Sequence, residues 1–368
     1  RGDCVGMATA PQTMHFYTTP TGGRFVLSEA VVAVITGPMG EAKCLAKDTP
    51  VILADGTLVP VQDICVGDVL MGDDGEARHV FTVSGGYGDL FRIQPIKGDP
   101  FVVNGEHVLV LKRTKGTGAP RRDGEVIEIS VREYLARSHT FRNTHHLYHV
   151  PVSFPFRPVS LPPYLLGLWL GDGTAREPAI TTPDEEVVTY LEKVAALLGV
   201  RLTPYRPSRP SKATTYGFAG DNAGPNWVML GLRDYGLMPD KFIPHAYKCN
   251  DRAIRLSCLA GIIDADGSPN RSGYHVIQKR QRLAEDIAYL ARSLGFQVTM
   301  KPIIGEIKAR GFRGQYFSLH INGNCAEIPV KIQRKVVPPR RQKKDVLVSA
   351  IRSVTPLGRG AYYGFTID

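Results

Sequence analysis

The sequence predicts an α+β multidomain chain, in which an all-β unit is joined to a duplicated unit of helices and strands with pseudo-two-fold symmetry. Three observations carry this. Two apolar runs, Tyr164-Leu-Leu-Gly-Leu-Trp-Leu-Gly-Asp-Gly173 and Cys258-Leu-Ala-Gly-Ile-Ile-Asp-Ala-Asp-Gly267, share a skeleton of small residues and both end in Asp-Gly. Asp172 and Asp266 are each followed 69 residues later by a lysine, Lys241 in Lys-Phe-Ile-Pro and Lys335 in Lys-Val-Val-Pro. Upstream, residues 44–111 form short β-rich stretches separated by Asp-Gly turns, the pattern of a compact all-β unit.

The two apolar runs are expected to be helices, with Gly173 and Gly267 supplying left-handed caps just past the last turn. Gly167, Gly171, Ala260, Gly261 and Ala265 are small enough to let two such helices approach closely. Asp172 and Asp266 then sit at the negative ends of the helix dipoles, where an anion is disfavoured and a divalent cation would remove the conflict. Matching helical stretches follow, Glu185 to Gly199 and Gln281 to Gly295, each stopped by its glycine and followed by a strand-like run, Val200 to Thr203 and Phe296 to Met300. A duplicated unit carrying one carboxylate and one lysine per copy suits a reaction performed twice, once on each strand of a duplex.

On these residues the chain resembles the single-chain LAGLIDADG homing endonucleases. The second run matches their motif closely, and the first keeps its Gly, apolar and Asp-Gly skeleton. The resemblance implies an αββαββα domain over residues 156–340, with repeats at about 156–249 and 250–340. It implies that Asp172 and Asp266 bind Mg2+ at the base of two packed helices, and that Lys241 and Lys335 are the basic pair near the scissile phosphates. It also implies two curved antiparallel sheets facing the major groove of double-stranded DNA. Expected DNA contacts are Arg206, Arg209 and Lys212 in the first repeat and Lys301, Lys308, Arg310 and Arg313 in the second, at matching places after the first strands. The stretch Lys331 to Lys344 contains no acid, and its Arg334, Arg340 and Arg341 are expected to follow the DNA backbone.

Composition agrees with a polyanionic partner: the formal net charge is +10 over 368 residues. No apolar run approaches the roughly 20 residues a membrane span needs, and the N-terminus shows no signal-peptide pattern. A monomer in the cytoplasm, neither secreted nor at a membrane, is expected. Six cysteines without a Cys-x-x-Cys pair indicate neither a zinc site nor a disulfide scaffold. Most are expected to be small core residues, with Cys44 the exception.

Residues 1–43 differ from the rest. Val31-Val-Ala-Val-Ile-Thr36 reads as a buried strand leading into Gly37-Pro-Met-Gly-Glu-Ala-Lys43, which is almost a phosphate loop. Ala42 stands where the second glycine belongs and Cys44 where a Ser or Thr should bind Mg2+, so nucleotide binding is not expected. With Thr19-Pro-Thr-Gly-Gly-Arg-Phe25, this segment resembles the start of a phage terminase large-subunit ATPase, interrupted by an insertion that begins at Cys44.

From Cys44 the pattern is of hairpins: Thr49 to Leu53 and Leu58 to Val61 about Asp55-Gly56, then Val66 to Met71 and His79 to Val83 about Asp73-Asp-Gly75. Leu90 to Ile93, Phe101 to Val103 and Val108 to Leu111 add further strands. This stretch resembles the horseshoe-like Hint splicing domain of inteins, with Cys44-Leu-Ala-Lys-Asp-Thr-Pro-Val51 as its first block and Asn104-x-x-His107 as its second. The chemistry also follows from the residue types. A thiol beside its own upstream peptide bond can attack the Lys43 carbonyl without a bimolecular encounter. His107 can protonate the leaving nitrogen, and Asn104 can hydrogen-bond the scissile peptide. The resemblance makes residues 1–43 a host (extein) segment and 44–155 the first part of the splicing domain.

Within that part, residues 112–150 are rich in Lys and Arg, among them Arg121 and Arg122, with Tyr134, Phe141 and Tyr148 interleaved. They read as an added DNA-contacting element or, equally well, as a solvated loop insertion. His145, His146 and His149 lack a completing Cys or acid and are expected at the surface. The proline-rich 151–162 reads as a linker. Residues 341–368 return to strands, and Ala361 to Asp368 resembles a late splicing block, with Gly364 where relatives of this class place an acid. The His-Asn that ends such domains does not follow Asp368. The chain as written is therefore expected to form the thioester without completing splicing.

Overall fold

The computed structural model describes residues 44–72, 74–114, 124–205, 213–220, 224–271, 273–307, 312–339 and 345–368. The phosphate-loop-like segment, Arg121, Arg122, Arg206, Arg209, Lys212, Lys308, Arg310, Arg340 and Arg341 lie outside the described residues.

The β-rich part starts with β1 (Leu45–Ala46), β2 (Pro50–Ile52), β3 (Leu58–Pro60) and β4 (Val69–Met71). The hairpin expected about Asp55-Gly56 forms, with Val51 opposite Val59. The short strands expected at His79 and Leu90 are one continuous strand, β5 (Ala77–Pro95). It pairs antiparallel with β18 (Ile351–Ile367), a strand of similar length. Gly85, Gly86 and Gly88 sit inside β5 opposite Tyr363, Tyr362 and Gly360. Taken alone those glycines read as a turn, but a partner strand of similar length carries the ladder across them. β6 (Phe101–Asn104) completes the sheet order β18-β1-β6-β5-β4, so the far end of the chain lies beside Leu45.

A second β-layer holds β7 (Val108–Arg113), β8 (Val126–Ser130), β9 (His145–Tyr148) and β17 (Val348–Ser349), in the order β17-β9-β7-β8. Helices α1 (Val131–Ala136) and α2 (His139–Thr144) connect β8 to β9. Ser130 and Glu133 form a reciprocal capping box at the start of α1. Much of the region expected as an added DNA-gripping element is thus part of the β-rich core. Tyr134 is buried in that core, and Arg132 is paired with Asp89 and Glu106. His145, expected at the surface, is buried. Its ring stacks on Phe141 at 4.0 Å, and its Nδ1 donates to the Phe141 carbonyl at 3.0 Å.

The duplicated part opens with α3 (Pro163–Asp172), β10 (Ala179–Thr182), α4 (Glu185–Leu198), β11 (Val200–Tyr205), β12 (Thr214–Gly220), α5 (Trp227–Asp234) and α6 (His245–Lys248). The second copy runs α7 (Arg252–Asp266), β13 (Gly267–Asn270), β14 (Gly273–Gln278), α8 (Gln281–Ser293), β15 (Gln297–Ile307) and β16 (Phe312–Asn322). Its sheet has the order β13-β14-β16-β15. The first copy has β10-β12-β11, and its missing edge strand is reduced to a single bridge between Gly173 and Ile180. α8 has the expected apolar face, with Leu283, Ile287 and Leu290 fully buried on one side. One core cluster runs through both copies.

The proline-rich connector is packed. Val152 and Phe154 share a small apolar cluster with Ile52 and Met71 of the β-rich part and with Cys249 and Tyr289 of the duplicated part. The Tyr289 hydroxyl donates to the Gly56 carbonyl at 3.3 Å. The buried Arg255 guanidinium donates to the carbonyls of Val152 at 2.8 Å and Ser293 at 3.0 Å. Arg292 and Asp99 add an ion pair of 3.3 Å between the two parts, both side chains mostly shielded.

Candidate active sites

The first site is set by where α3 and α7 cross. A Cβ on Gly167 would lie 2.2 Å from the Cys258 carbonyl oxygen and 2.9 Å from the Gly261 Cα. A Cβ on Gly261 would lie 2.2 Å from the Tyr164 carbonyl oxygen and 3.0 Å from the Gly167 Cα. The two helices therefore meet backbone to backbone. One turn further on, a Cβ on Gly171 would fall 2.3 Å from the Ala265 Cβ and 3.3 Å from a carboxylate oxygen of Asp266. The Asp266 carboxylate thus lies against the last turn of the helix that ends in Asp172.

The helix ends differ from expectation. Gly173 has φ −75° and ψ 150°, and Gly267 has φ −88° and ψ 150°. Both are extended, not left-handed. Glycine is required there for space: a Cβ would meet the Trp169 carbonyl oxygen at 2.3 Å in one copy and the Ile263 carbonyl oxygen at 2.8 Å in the other.

The carbonyls that a left-handed cap would have satisfied are taken by the two lysines. Lys241 Nζ donates to the carbonyls of Trp169 (2.7 Å), Gly171 (3.3 Å) and Gly173 (2.6 Å). Lys335 Nζ donates to those of Ile263 (3.0 Å), Asp264 (2.7 Å) and Ala265 (3.3 Å). Both lysines are buried. Each is a cation at the negative end of a dipole, the favourable sign.

Electrostatics ties the four groups together. Burial, and then repulsion from Asp266, pushes the Asp172 carboxyl up to about 6. Burial also raises Asp266, opposed first by the Lys241 charge. Of the two lysines, Lys335 lowers Asp172 the more. Each aspartate is therefore supported chiefly by the lysine of the other copy, and the half-sites are composite. Burial lowers Lys241 to about 8, and it lowers Lys335 as well.

The straps that carry the lysines dock across the pseudo-two-fold. Beside Lys241, the Ile243 amide donates to the Asp286 carboxylate on α8 at 2.8 Å, and Arg282 lies 3.8 Å over the Phe242 ring. Beside Lys335, Arg334 makes a two-pronged contact to Asp184 at 2.7 and 2.8 Å, and Lys331 lies over Tyr164 and Tyr190. Arg334, expected on the DNA, is thus engaged within the protein. Lys301 and Arg313 are exposed on β15 and β16.

Two further participants were not singled out from the sequence. Asp264 is buried and accepts from the Tyr164 hydroxyl and the Lys331 amide, both at 2.6 Å, which ties the two helices and the second strap together. The signal was available: acids at i and i+2 of one helix cannot share a face, so Asp264 and Asp266 had to have different roles. Gln278 Nε2 donates to Asp266 Oδ2 at 3.2 Å. At the matching strand end of the first copy stands Thr182, which accepts from the Asp184 amide at 3.2 Å. The two half-sites are therefore not identical.

The second site lies in the β-rich part. β1 runs between β6 and β18, with Leu45 opposite Val103 on one side and Tyr363 on the other. That places Cys44 beside the end of β6, where the Asn104 amide donates to the Cys44 carbonyl at 3.3 Å. The His107 amide donates to the Asn104 carbonyl at 3.4 Å, closing the turn between β6 and β7. Cys44, Asn104 and His107 are all buried. Burial raises the Cys44 thiol, and a hydrogen bond with the Asn104 side chain partly offsets it. Gly364 lies opposite Ser84 within the long ribbon.

Among the described residues no group of three or more His, Cys, Asp or Glu side chains forms a metal cluster, and no helix is long and apolar enough to cross a membrane. Residues 44–132 match the family model of the homing-endonuclease-associated Hint, and residues 242–336 match that of the homing endonucleases. Over 283 residues the chain is 26% identical to a replicative DNA helicase DnaB of Mycobacterium intracellulare, covering 72% of this chain and 44% of the relative. It is 27% identical over 161 residues to the homothallic switching endonuclease of Saccharomyces cerevisiae, covering 37% of this chain and 28% of the relative. The chain thus spans less than half the length of either. Among solved structures, variants of the homing endonuclease I-DmoI align at 13% identity and a TM-score of 0.32, over 45% of this chain and 84% of that one. The gp41-1 intein aligns at 17% identity and a TM-score of 0.19, over 25% of this chain and 61% of that one. By the two family matches, the chain carries a region similar to the Hint domains associated with homing endonucleases, followed by one similar to homing endonucleases themselves.

Proposed function

We propose that the chain is an intein carrying a site-specific endonuclease: the β-rich part excises itself from flanking host segments, and the duplicated part cuts double-stranded DNA at the uninterrupted host gene. The observation that carries the nuclease reading is the delivery of Asp172 and Asp266 to adjoining points by two helices in backbone contact. Two half-buried carboxylates that repel each other form an all-oxygen donor set, which suits a hard divalent ion such as Mg2+. Asp172 and Asp266 would hold it. When bound, such an ion stabilises charge developing on a phosphoryl oxygen and lowers the pKa of water. Lys241 and Lys335 act from behind, fixing the backbone from which each aspartate projects and placing positive charge beneath the other copy's carboxylate. Lys301 and Arg313, together with the arginines and lysines of the neighbouring loops, contact the duplex.

In the splicing reaction the Cys44 thiol gives up its proton to water and its sulfur attacks the carbonyl carbon of Lys43. The Lys43–Cys44 C–N bond breaks as the acyl group moves from nitrogen to sulfur, and the Cys44 nitrogen leaves as an amine with a proton supplied by His107. Asn104, hydrogen-bonded to the thiol, holds it in place.

The nuclease is tested with plasmids carrying the uninterrupted and the interrupted phosphate-loop junction in Mg2+. Linearisation of the first and sparing of the second is expected; cleavage of neither, with no binding, sinks the reading. A sequence-specific DNA-binding intein with a decayed nuclease is the second reading. It is favoured by the unequal half-sites, with Thr182 where the other copy has Gln278, and binding without metal-dependent nicking would support it. For splicing, added thiol should release residues 1–43 by cleavage before Cys44, as read by mass spectrometry.

A further inference from the structure

The second sheet has one face turned to the core and one turned away. Along β14 and β16, Tyr274 and Val276, and Phe317, Leu319 and Ile321, belong to the core. The period of two then sends His275, Ile277, Ser318 and His320 to the other face. His275 and His320 are directly opposed across the two strands. Their rings stack at 4.3 Å with an interplanar angle of 7°. His275 Nε2 is 2.8 Å from the Ser318 hydroxyl, which is itself buried. The ring is therefore fixed in orientation by a hydrogen bond as well as by the stack.

The register defines what surrounds the pair. Ser268 on β13 is opposite His275. Thr299 on β15 is opposite His320, and Lys301 is opposite Ser318. The charged neighbour on this face is thus a lysine, and these cross-strand positions hold no carboxylate. Partial burial and the adjoining His320 ring both lower His275. An apposed polyanion acts in the opposite direction and draws a proton onto the pair.

We propose that the stacked His275–His320 pair is a proton-gated DNA contact on the outer face of the second sheet, with His275 taking up a proton when a duplex binds. The proposal rests on the reading that this face meets DNA. Proton uptake on binding makes affinity rise as pH falls. The dependence is read on binding in the absence of divalent metal, and so apart from cleavage.

The test is fluorescence anisotropy of the full chain with a labelled duplex of the uninterrupted junction, without divalent metal, at constant ionic strength from pH 8 to pH 6. Wild type is expected to tighten by about threefold to tenfold. The variant H275Q/H320Q should lose that gain, its affinity changing little between pH 8 and pH 6. H320Q alone, which leaves the His275–Ser318 hydrogen bond in place, should lose a large part of it. An equal gain in both variants, or a flat wild-type profile with clear binding, overturns the proposal while leaving the DNA reading intact. No binding by wild type at any pH overturns the DNA reading and the proposal with it.

Discussion

Gly167 and Gly261 face each other across the α3–α7 crossing, and neither position has room for a Cβ without reaching a backbone atom of the opposite helix. Everything at the paired aspartates depends on that contact. It sets how far apart the helix ends lie, and so whether Asp172 and Asp266 act as one site or two.

Gly261→Val should therefore be severe. The added carbons meet the Tyr164 carbonyl and the Leu168 amide, which cannot yield without separating the helices. A loss of about 2–3 kcal/mol or more is expected, seen as a fall of about 5–10 °C in the melting temperature. An unchanged Tm would mean that the helices are not in backbone contact.

Asp172 makes stability depend on pH and on cations. Its carboxyl is raised to about 6 in the folded state, so its favourable contribution is complete below the ordinary carboxylate range and is lost as pH rises through 6. Asp172→Asn should then stabilise the protein at neutral pH by on the order of 1–3 kcal/mol and have little effect near pH 4. Millimolar Mg2+ at pH 7.5 should raise the Tm of wild type but not of the Asp172→Asn/Asp266→Asn double variant. A shift of equal size in both would place the ion elsewhere.

The lysines are tested by removing the charge while keeping the bulk. Lys335→Met leaves the carbonyls of Ile263, Asp264 and Ala265 without their buried donor, at a cost of about 2–4 kcal/mol. For Lys241 the folded value is depressed to about 8, so above that pH the unfolded chain holds more protons and stability rises toward the ordinary lysine range. Lys241→Met should flatten this rise in urea-denaturation midpoints taken between about pH 8 and 10. A variant that keeps the wild-type slope would show that the ammonium is not buried.

The connector predicts coupling between the two parts. Tyr289 contributes both apolar surface and a hydrogen bond to the interface formed with Val152, Phe154, Ile52 and Met71. Tyr289→Ala should cost about 3–5 kcal/mol and turn one calorimetric transition into two. Retention of a single transition at an unchanged temperature would show that the interface carries little of the stability.

The aspartates, the lysines and their spacing were legible because each is a local or repetitive signal: an acid ending an apolar run, and a lysine at a fixed distance from it. Gly173 and Gly267 were identified correctly as obligatory glycines, but for the wrong physical reason. A one-dimensional pattern cannot separate a need for left-handed φ from a need for space, and here the intruding atom is a carbonyl of the same helix. The long β5–β18 ribbon was hidden in the same way. Glycines that break an isolated strand are held in place by a partner more than two hundred residues away.

By itself the sequence indicated the paired apolar helices, the paired lysines that follow them and the β-rich character of the first part. Those follow from periodicity and residue type, which act over a few neighbours. Only the tertiary structure decided that each lysine caps a helix end, that Asp172 and Asp266 each feel the other copy's lysine more than their own, and that Tyr164 and Asp264 bind the two helices together. Those relationships depend on distances between segments that are far apart in the chain, Asp172 and Lys335 among them, which close packing sets and local propensity does not encode.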